Sequence, residues 1–422
     1  MRRRSSRWRR AAPGGRAAPI CRGSSCPTDT RARRSRHAAP RATKAGLSPV
    51  PRPVQDAAMQ VLFLTRKWPP AVGGMEVYSA EMAAEMQSAG HRVDLRALPG
   101  RADGRAPRSP ALIRFGLGTG LSVLLRPRRW DVLLGGDLAI WPLVWLAALR
   151  RPDAVPILAA HGTDAGFGAR PGLRPALYRA YLGLGARLLR RARVAANSAT
   201  TADHARAAGF SDITVIPLGV RPVAPLGAPP DGPYLLFAGR RVRRKGLSWF
   251  VAQVLPRLSV DLRVLVVGPP WDPAEEAALC EPRVKRLDAL AQPRLFALMR
   301  GATAVVIPNL PAEAGVVEGF GLIAAEAAAQ GAVVLAAAVD GYDSSVVDGT
   351  TGLLLPPGDA AAWAAAIADV QGWTPERRAA FTDRARLVAR SRFDWARTAR
   401  ATLGLAAGGA PAGEDQGTSA PG

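Results

Sequence analysis

The chain has 422 residues and a formal net charge of +24 at pH 7. This length exceeds one ordinary hydrophobic core and favours two or three domains. Two of the three cysteines lie in the first 58 residues, so a disulfide scaffold and a cysteine-based zinc site are both excluded.

Residues 1–58 form an arginine-rich segment that carries over half of the net charge. They contain 14 arginines and 1 lysine against 2 aspartates, a net +13, and show no apolar periodicity. Such a composition cannot bury enough surface to offset its ordering entropy, so we expect disorder there. A secretory signal is disfavoured because an apolar h-region is lacking, and a transit peptide fits the composition better. Because Met59 directly precedes the first predicted strand, we favour a start of translation at Met59.

From Met59 onward, short runs rich in leucine or β-branched residues alternate with helical periods. This alternation is typical of βα units with parallel strands, so the predicted fold class is α/β. In the first half, strands are predicted at residues 61–65, 93–97, 132–135, 157–160, 194–197 and 214–217, with helices between them.

Gly73 and Gly74 interrupt the first junction between a strand and a helix, in PPAVGGMEVY. A double glycine lets the backbone approach a ligand at the N-terminus of a helix. The G-x-G-x-x-G spacing of dinucleotide folds is absent, so the motif is weak evidence for a dinucleotide. A simple turn is the alternative.

The most apolar run is LAIWPLVWLAAL, residues 138–149. It is well short of the about 20 residues that span a bilayer, and it contains a proline. We therefore expect no transmembrane helix, and the single cysteine outside the first 58 residues favours a cytoplasmic protein.

The segment AAHGTD follows a predicted strand and places His161 and Asp164 at its carboxyl end. These side chains can orient substrate hydroxyls or assist proton transfer, and a loop-forming role is the alternative. The chain has only four histidines, which excludes a histidine-rich metal site, and it has no D-x-D pair to hold a diphosphate-bound metal. We expect no metal and no cofactor.

Residues 173–194, LRPALYRAYLGLGARLLRRARV, form a basic amphipathic stretch. Such a face can rest on anionic lipid at the inner face of the cytoplasmic membrane, at about 1 kcal/mol per basic residue near the surface. The alternative is a solvated helix with a buried leucine stripe. Further arginines of the same predicted domain are Arg128, Arg129, Arg150 and Arg151.

Residues 218–233 have the proline and glycine density of a linker, after which the pattern restarts. Strands are then predicted at residues 234–239, 263–267, 304–308 and 333–337, and helices at 247–258, 294–301, 322–330 and 360–370. Two doubly wound Rossmann-like domains result, with a ligand cleft between the carboxyl ends of their strands. The predicted boundaries are 59–220 (N-terminal domain), 221–233 (linker), 234–393 (C-terminal domain), 394–405 (a helix expected to pack back onto the N-terminal domain) and 406–422 (disordered tail).

The run AGRRVRRKG, residues 238–246, closes the first strand of the second predicted domain. Arg240 and Lys245 can converge there on phosphate oxygens, arginine by a bidentate fork and lysine as a point charge. A solvated basic loop is the alternative.

Glu318 and Glu326 flank the start of an alanine-rich helix in EGFGLIAAEAAAQG. The glycine-containing loop and the helix N-terminus, with its free N–H groups, favour an anion. Acids on either side of a phosphate site can accept hydrogen bonds from sugar hydroxyls, as the acid of dinucleotide folds does from ribose. An ordinary first-turn acid and a solvated acid are the alternatives.

These motifs belong to a longer series, which in chain order reads PPAVGGMEVY, AGHRV, HGTD, NSATTADHARAAGF, ITVIPLGV, FAGRRVRRKG, PNLPAEAGVVEGFGLIAAEAAAQGAVVLA and VVDGTTGLLLPPGD. In this order they resemble the retaining glycosyltransferases of family 4, which have the GT-B fold, over about residues 59–403. The E-x7-E spacing of Glu318 and Glu326 is the most specific part. The chain departs from the family at VDGYDSSVVDG, so the resemblance assigns no donor contact to residues 341–345.

The resemblance implies a nucleotide-sugar donor on the C-terminal domain and an acceptor on the N-terminal domain. It also implies metal-independent transfer with retention, in which a leaving-phosphate oxygen acts as the base. Implied donor contacts are Gly73, Gly74, Arg240 and Lys245 (diphosphate), Glu318 (donor sugar), Gly319, Phe320, Gly321 and Leu322 (helix end) and Glu326 (ribose). Implied catalytic residues are Glu318, Arg240, Lys245 and, near the transferred sugar, His161.

The predicted function is therefore a glycosyltransferase with a glycan, lipid-linked or small-molecule acceptor, in cell-envelope or polysaccharide biosynthesis. A nucleotide-sugar epimerase or phosphorylase on the same scaffold is the enzymatic alternative. A nucleic-acid-binding protein is suggested by charge, but we expect no such binding because most of the charge lies in residues 1–58. The donor sugar, nucleotide base, acceptor and linkage stay open.

Overall fold

Two six-stranded sheets follow one another along the chain in the computed structural model. Their strand pairs are parallel, as expected when a helix returns the chain across the sheet after each strand. Both sheets lie in one compact unit. The predicted α/β class with two Rossmann-like domains is thus confirmed. The structure describes residues 57–71, 73–101, 107–126, 128–221, 223–311, 316–339 and 341–407.

The N-terminal sheet consists of β1 (Gln60–Trp68), β2 (Arg92–Pro99), β3 (Val132–Gly135), β4 (Val155–Ala160), β5 (Arg193–Ala196) and β6 (Asp212–Val215). Across the sheet the strands lie in the order β2-β1-β3-β4-β5-β6, so the order reverses between β1 and β3. Residues 61–64 of β1 are at most 1% exposed because helices cover both faces. This explains why the central strands read as unbroken apolar runs.

The helices of this domain are α1 (Gly74–Ser88), α2 (Ser109–Leu125), α3 (Trp141–Arg150), α4 (Gly162–Gly166), α5 (Leu173–Leu188) and α6 (Ala199–Ala207). Buried residues of α2, α3, α5 and α6 share one hydrophobic core, so these four helices cover the same face of the sheet. Residues of α1 belong to the other core, on the opposite face.

The C-terminal sheet consists of β7 (Tyr234–Ala238), β8 (Arg263–Val267), β9 (Val284–Leu287), β10 (Ala304–Ile307), β11 (Val334–Ala337) and β12 (Leu353–Leu355). Their order is β12-β11-β10-β7-β8-β9, which reverses between β7 and β10. In open α/β sheets a ligand binds outside the carboxyl ends of the strands at such a reversal.

The helices of this half are α7 (Leu247–Trp249), α8 (Pro273–Ala277), α9 (Gln292–Gly301), α10 (Leu322–Ala329), α11 (Tyr342–Ser345), α12 (Ala360–Gln371), α13 (Pro375–Arg392) and α14 (Trp395–Gly404). The helix predicted at residues 247–258 is irregular: α7 continues as a π-helix at Phe250–Val254 and a 3₁₀ turn at Leu255–Arg257. Pro256 in that last turn has no N–H to extend the α-helix.

The sequence patterns do not predict β9 and β12, and both are edge strands. Lys285 and Arg286 of β9 are exposed, so VKRL lacks the apolar run that identifies the central strands. β12 has only three residues. Edge strands are short and charged in many proteins because this prevents pairing with other chains.

The C-terminal helix α14 packs on α1 of the N-terminal domain. The backbone N–H of Val220 donates to the Phe393 carbonyl at 2.9 Å, and the Trp395 and Tyr78 rings lie 6.2 Å apart. A 3₁₀ turn follows at Leu405–Ala407. The disorder expected for residues 1–58 and 406–422 concerns residues outside those described, except for residues 57, 58, 406 and 407, the last two of which belong to this turn. None of the helices in the described ranges has the length and hydropathy needed to span a bilayer.

Candidate active site

The candidate site lies where the C-terminal strand order reverses, at the carboxyl ends of β7 and β10. Arg243–Lys245 form a 3₁₀ turn after β7, and the N–H of Leu310 donates to the Arg244 carbonyl at 3.0 Å. Gly246 ends this turn at φ +67°, and a side chain there would collide with the Pro308 carbonyl oxygen. Glycine therefore lets the turn approach the loop after β10 closely.

Glu318 holds the centre of this site. Lys245 Nζ and Arg244 Nη1 donate to the same oxygen, Glu318 Oε2, at 2.6 and 2.7 Å. Burial alone would raise the pKa of Glu318, but the charges of Lys245 and Arg244 outweigh it and lower the pKa to about 2. Glu318 is therefore a carboxylate at neutral pH, suited to accept hydrogen bonds and not to donate a proton.

The cations of this turn divide into distinct roles. Arg240 is exposed, with its guanidinium 5.1 Å from the centre of the Trp271 ring. Arg241 is buried, pairs with Glu276 and donates to a backbone carbonyl, so it stabilises the fold. Burial lowers the pKa of Lys245, and the nearby positive charges of Arg244 and Arg240 lower it further, whereas Glu318 opposes both. Arg244 and Lys245 thus share one carboxylate, and Arg240 lies near enough for its charge to act on Lys245.

Glu326 lies on α10, away from this cluster, and contacts the start of α9. Gln292 Nε2 donates to Glu326 Oε1 at 3.1 Å. Burial raises the pKa of Glu326 to about 7, and the hydrogen bond from Gln292 opposes that shift. A partly buried carboxyl with only one described donor retains capacity for further hydrogen bonds.

The loop between Glu318 and Glu326 packs against buried aromatic side chains. Phe320 is buried and packs edge-on against Phe393, with the ring centres 5.6 Å apart. Gly321 caps α10 at φ +77°, where a side chain would collide with the Tyr342 ring, and Leu322 begins the helix. The rings of Phe393 and Tyr342 therefore fix the position of this loop.

His161 and Asp164 lie at the carboxyl end of β4, on the N-terminal side of the cleft. His161 Nε2 lies 3.1 Å from the Gly136 carbonyl oxygen, which can only accept, so Nε2 carries the proton and Nδ1 is an acceptor. Burial lowers the pKa of His161 to about 4, hence the ring is neutral at pH 7. The Asp164 oxygens accept from the N–H groups of His161 and Leu138, at 2.7 and 2.9 Å, so Asp164 shapes the loop.

The two domains meet backbone to backbone at Gly162 and Gly319. A Cβ on Gly162 would lie 2.5 Å from the Cα and 2.6 Å from the N of Gly319. A Cβ on Gly319 would lie 2.6 Å from the N of Gly162 and 3.1 Å from Asn197 Nδ2. The loop that carries His161 is thereby brought to the loop that carries Glu318.

Gly73 and Gly74 stand at the start of α1. Gly74 is the first residue of the helix, and a Cβ on it would meet no atom within 4 Å. The backbone at Gly74 is therefore open on that side, while a Cβ on Gly73 would meet the flexible side chain of Glu76. The sequence motifs identify both glycines but do not single out Arg244 within the run AGRRVRRKG, Tyr342 within residues 341–345, or Gln292.

Both halves of the chain match family models. Residues 72–223 match the model described as Glycosyltransferase Family 4, and residues 232–371 match the one described as Glycosyl transferases group 1. The matched regions cover most of the two domains.

Curated relatives with similar sequences include two proteins named D-inositol 3-phosphate glycosyltransferase. The one from Xylanimonas cellulosilytica is 37% identical over 191 residues, 42% of this chain and 43% of the relative. The one from a Nocardioides species is 35% identical over 205 residues, 43% of this chain and 42% of the relative. The chain thus spans less than half the length of these relatives in each alignment.

Solved structures with a similar fold include two bacterial proteins. Sucrose-phosphate synthase from Thermosynechococcus elongatus is similar with a TM-score of 0.64 and 21% identity, over 82% of this chain and 98% of that one. Anabaena HepE in complex with UDP-glucose gives 0.59 and 17% identity, over 83% and 100%. At these identities the likeness establishes the fold, which is GT-B.

Proposed function

Since the chain belongs to glycosyltransferase family 4, we propose that it transfers a sugar from a nucleotide-sugar donor to an acceptor held by the N-terminal domain. One observation carries this proposal: Arg244 and Lys245 both donate to the Glu318 carboxylate at the strand-order reversal of the C-terminal sheet, and the positive charge of Arg240 acts on Lys245. Three cations and one carboxylate leave a net charge of +2. This balance suits the diphosphate of a nucleotide sugar.

The proposed mechanism follows from the charges of the site. The bond between the anomeric carbon and the diphosphate breaks, and the cations stabilise the negative charge that develops on the departing oxygen. Glu318, ionised and fixed by its cations, accepts hydrogen bonds from the donor sugar, and Glu326 accepts them from the ribose. Because the cations themselves balance the diphosphate, we propose that transfer needs no metal.

We propose that the configuration is retained by attack on the face that the leaving group vacates. The acceptor oxygen bonds to the anomeric carbon, and its proton passes to an oxygen of the departing diphosphate. His161, neutral at pH 7 with Nδ1 as an acceptor, orients a hydroxyl of the transferred sugar. Neither glutamate near the donor is assigned as the base, and the pKa of Glu318, lowered to about 2, makes this carboxylate a weak proton acceptor.

The acceptor is proposed to be a polar small molecule, a glycan or a lipid-linked glycan, in cell-envelope or polysaccharide synthesis. The two relatives named for inositol 3-phosphate support the small polar class. An epimerase on this scaffold would change the donor sugar without any acceptor, and a phosphorylase would transfer a glycosyl unit to or from inorganic phosphate.

We expect UDP, GDP or ADP, or the corresponding nucleotide sugar, to raise the melting temperature of the protein, because a ligand that binds only the folded state stabilises it by mass action. Glu326→Ala should reduce this shift, since it removes the proposed ribose acceptor. The exposed Glu376→Ala, on α13, is the matched control and should leave the shift unchanged. Turnover of the donor to an epimer without acceptor, or no shift with any nucleotide, would contradict the proposal.

We further propose that the N-terminal domain contacts an anionic membrane through a leucine face on its outer helices. α2, α3 and α5 cover the same face of the sheet, and none of them contains an acidic residue. The alternative of a buried leucine stripe in residues 173–194 holds for Leu182 and Leu189, whereas the other four leucines of that stretch are exposed. Exposed members of the leucine face are Ile113, Leu117, Leu121, Leu124, Leu125, Leu149, Leu173, Leu177, Leu184 and Leu188.

Exposed arginines on the same helices as the leucine face supply charge complementary to anionic lipid. Arg114, Arg150, Arg174 and Arg187 project from the same helices and are exposed. Helices with exposed leucines, exposed arginines and no acidic residue fit the interface between lipid headgroups and acyl chains. A protein partner would need acidic residues placed opposite these arginines. A bilayer rich in phosphatidylglycerol presents negative charge over its whole surface.

The double variant Leu117→Ser/Leu121→Ser is expected to bind vesicles of phosphatidylglycerol and phosphatidylcholine at least tenfold more weakly, since each fully buried leucine contributes about 1.5–3 kcal/mol. Cosedimentation measures this, with phosphatidylcholine vesicles as the uncharged reference. Leu387→Ser removes a leucine that is 72% exposed on α13 and is the matched control. Equal binding of the double variant and this control would exclude the leucine face.

A further inference from the structure

Two residues that no sequence motif identifies, Arg244 and Tyr342, contact the centre of the proposed donor site. Arg244 and Lys245 share a single oxygen of Glu318, so one negative charge serves two cations. Within the described part of the chain, no donor is bonded to the other oxygen, Glu318 Oε1. Arg244 and Lys245 can therefore donate further hydrogen bonds to an anion, and Glu318 Oε1 can accept one.

Arg244 differs from its neighbours in the same basic run. Arg241 is occupied by Glu276 and by the Gly268 carbonyl, the latter at 2.6 Å from Nη1. Arg243, on the same 3₁₀ turn, is exposed and makes no described contact with Glu318. The Arg244 side chain is only 23% exposed, and its guanidinium faces the carboxylate. The position of its side chain beside Glu318 thus distinguishes Arg244 from Arg241 and Arg243.

Tyr342 supplies a second anchor for Lys245. Lys245 Nζ donates to the Tyr342 hydroxyl oxygen at 3.2 Å and lies 5.8 Å from the ring centre. The ring is fully buried beside the loop of Glu318, where Gly321 has no side chain that would displace it and Gly341 packs against the Glu318 carbonyl. A lysine drawn away from Glu318 by an anion therefore keeps one hydrogen bond to a fixed oxygen.

On this geometry, which rests on the proposed function, we propose that Arg244 binds the donor's diphosphate as a third cation and that Tyr342 is a positioning residue for Lys245. In the free protein both cations are held by Glu318. The diphosphate takes their hydrogen bonds, which frees Glu318 for the donor sugar, and Tyr342 keeps Lys245 beside the departing oxygen. The chemical class recognised is a nucleoside diphosphate or its sugar ester.

Arg244→Ala is expected to weaken the binding of UDP, GDP or ADP, whichever binds the wild type, by about tenfold, because a charge-assisted hydrogen bond is lost. Binding of the matching monophosphate should change less than the diphosphate. Titration calorimetry measures both. Arg243→Ala removes the neighbouring exposed arginine and should leave both affinities unchanged. Equal losses in the two variants, or equal losses for mono- and diphosphate, would overturn the role of Arg244.

Tyr342→Phe removes only the hydroxyl and retains the buried ring. If Tyr342 positions Lys245, kcat for transfer falls about fivefold with little change in donor KM, because one hydrogen bond to a charged group is lost at the leaving oxygen. A merely structural tyrosine would lower the melting temperature and leave kcat unchanged, which would overturn the role of Tyr342.

Failure of this inference differs from failure of the proposed function. If no nucleoside diphosphate binds the wild type, the donor site itself is wrong. If a diphosphate binds but the Arg244 and Arg243 variants behave alike, the donor site stands and only the assignment of Arg244 falls.

Discussion

Lys245→Ala is expected to lower kcat for sugar transfer by roughly 10²–10³-fold, because it removes a preorganised charge from the oxygen on which negative charge develops. Donor KM should change far less, since Arg240 and Arg244 still hold the diphosphate before the bond breaks. The fold should tolerate the change because Glu318 keeps its bond from Arg244 at 2.7 Å. Steady-state kinetics with the donor identified by thermal shift separate the two constants.

The matched control for this variant is Lys285→Ala. Lys285 is exposed on the edge strand β9, so its removal changes the net charge equally without touching the site. A similar loss of kcat in both variants would mean that overall charge, and not a placed ammonium, governs the rate. A raised KM with unchanged kcat would assign Lys245 to ground-state binding.

The sequence identifies the layers of the fold because buried strands leave a clear pattern. The central strands are covered on both faces, and residues such as Val61 and Val132 have no exposed surface. Among the edge strands, β2 and β6 are predicted from the sequence, whereas VKRL of β9 reads as a charged loop. The alternation of strands and helices along the chain is therefore sufficient to predict the two-domain architecture, but not the edge strands β9 and β12 of the C-terminal sheet.

Within the site, motifs locate the loops but not the side chains that act. RRVRRK offers five cations of similar chemistry, and only the 3₁₀ turn directs Arg244 to Glu318 while Arg241 points into the fold. Asp164 looked like a substrate ligand, yet its oxygens accept backbone N–H groups. Such differences depend on the direction of each side chain, which spacing along the chain does not fix.

Contacts between the domains are the least predictable part. Gly162 and Gly319 are far apart in the sequence, and neither has a positive φ that would explain a glycine locally. Their need for glycine arises only when the two loops meet across the cleft. A glycine that is required because a distant segment packs against it cannot be recognised from the neighbouring sequence.

Gly162→Ala is therefore expected to reduce transfer by about 10²-fold, because a misplacement of 1 Å between reacting groups can have an effect of that size. The new methyl would lie 2.5 Å from the Cα of Gly319. Backbone cannot rotate away as a flexible side chain can, so the loops of His161 and Glu318 must separate. Donor binding should persist, since the proposed donor contacts lie mainly on the C-terminal domain.

Gly116→Ala is the matched control for this glycine. Gly116 lies within α2, where a Cβ would meet no atom within 4 Å, and alanine favours a helix over glycine by about 1 kcal/mol. The control should therefore keep full activity and equal or greater stability. If Gly162→Ala retains both nucleotide binding and wild-type transfer, then close approach of the two loops is not required for the reaction. If it loses nucleotide binding as well, then the contact also supports the donor site, because Gly319 directly follows Glu318.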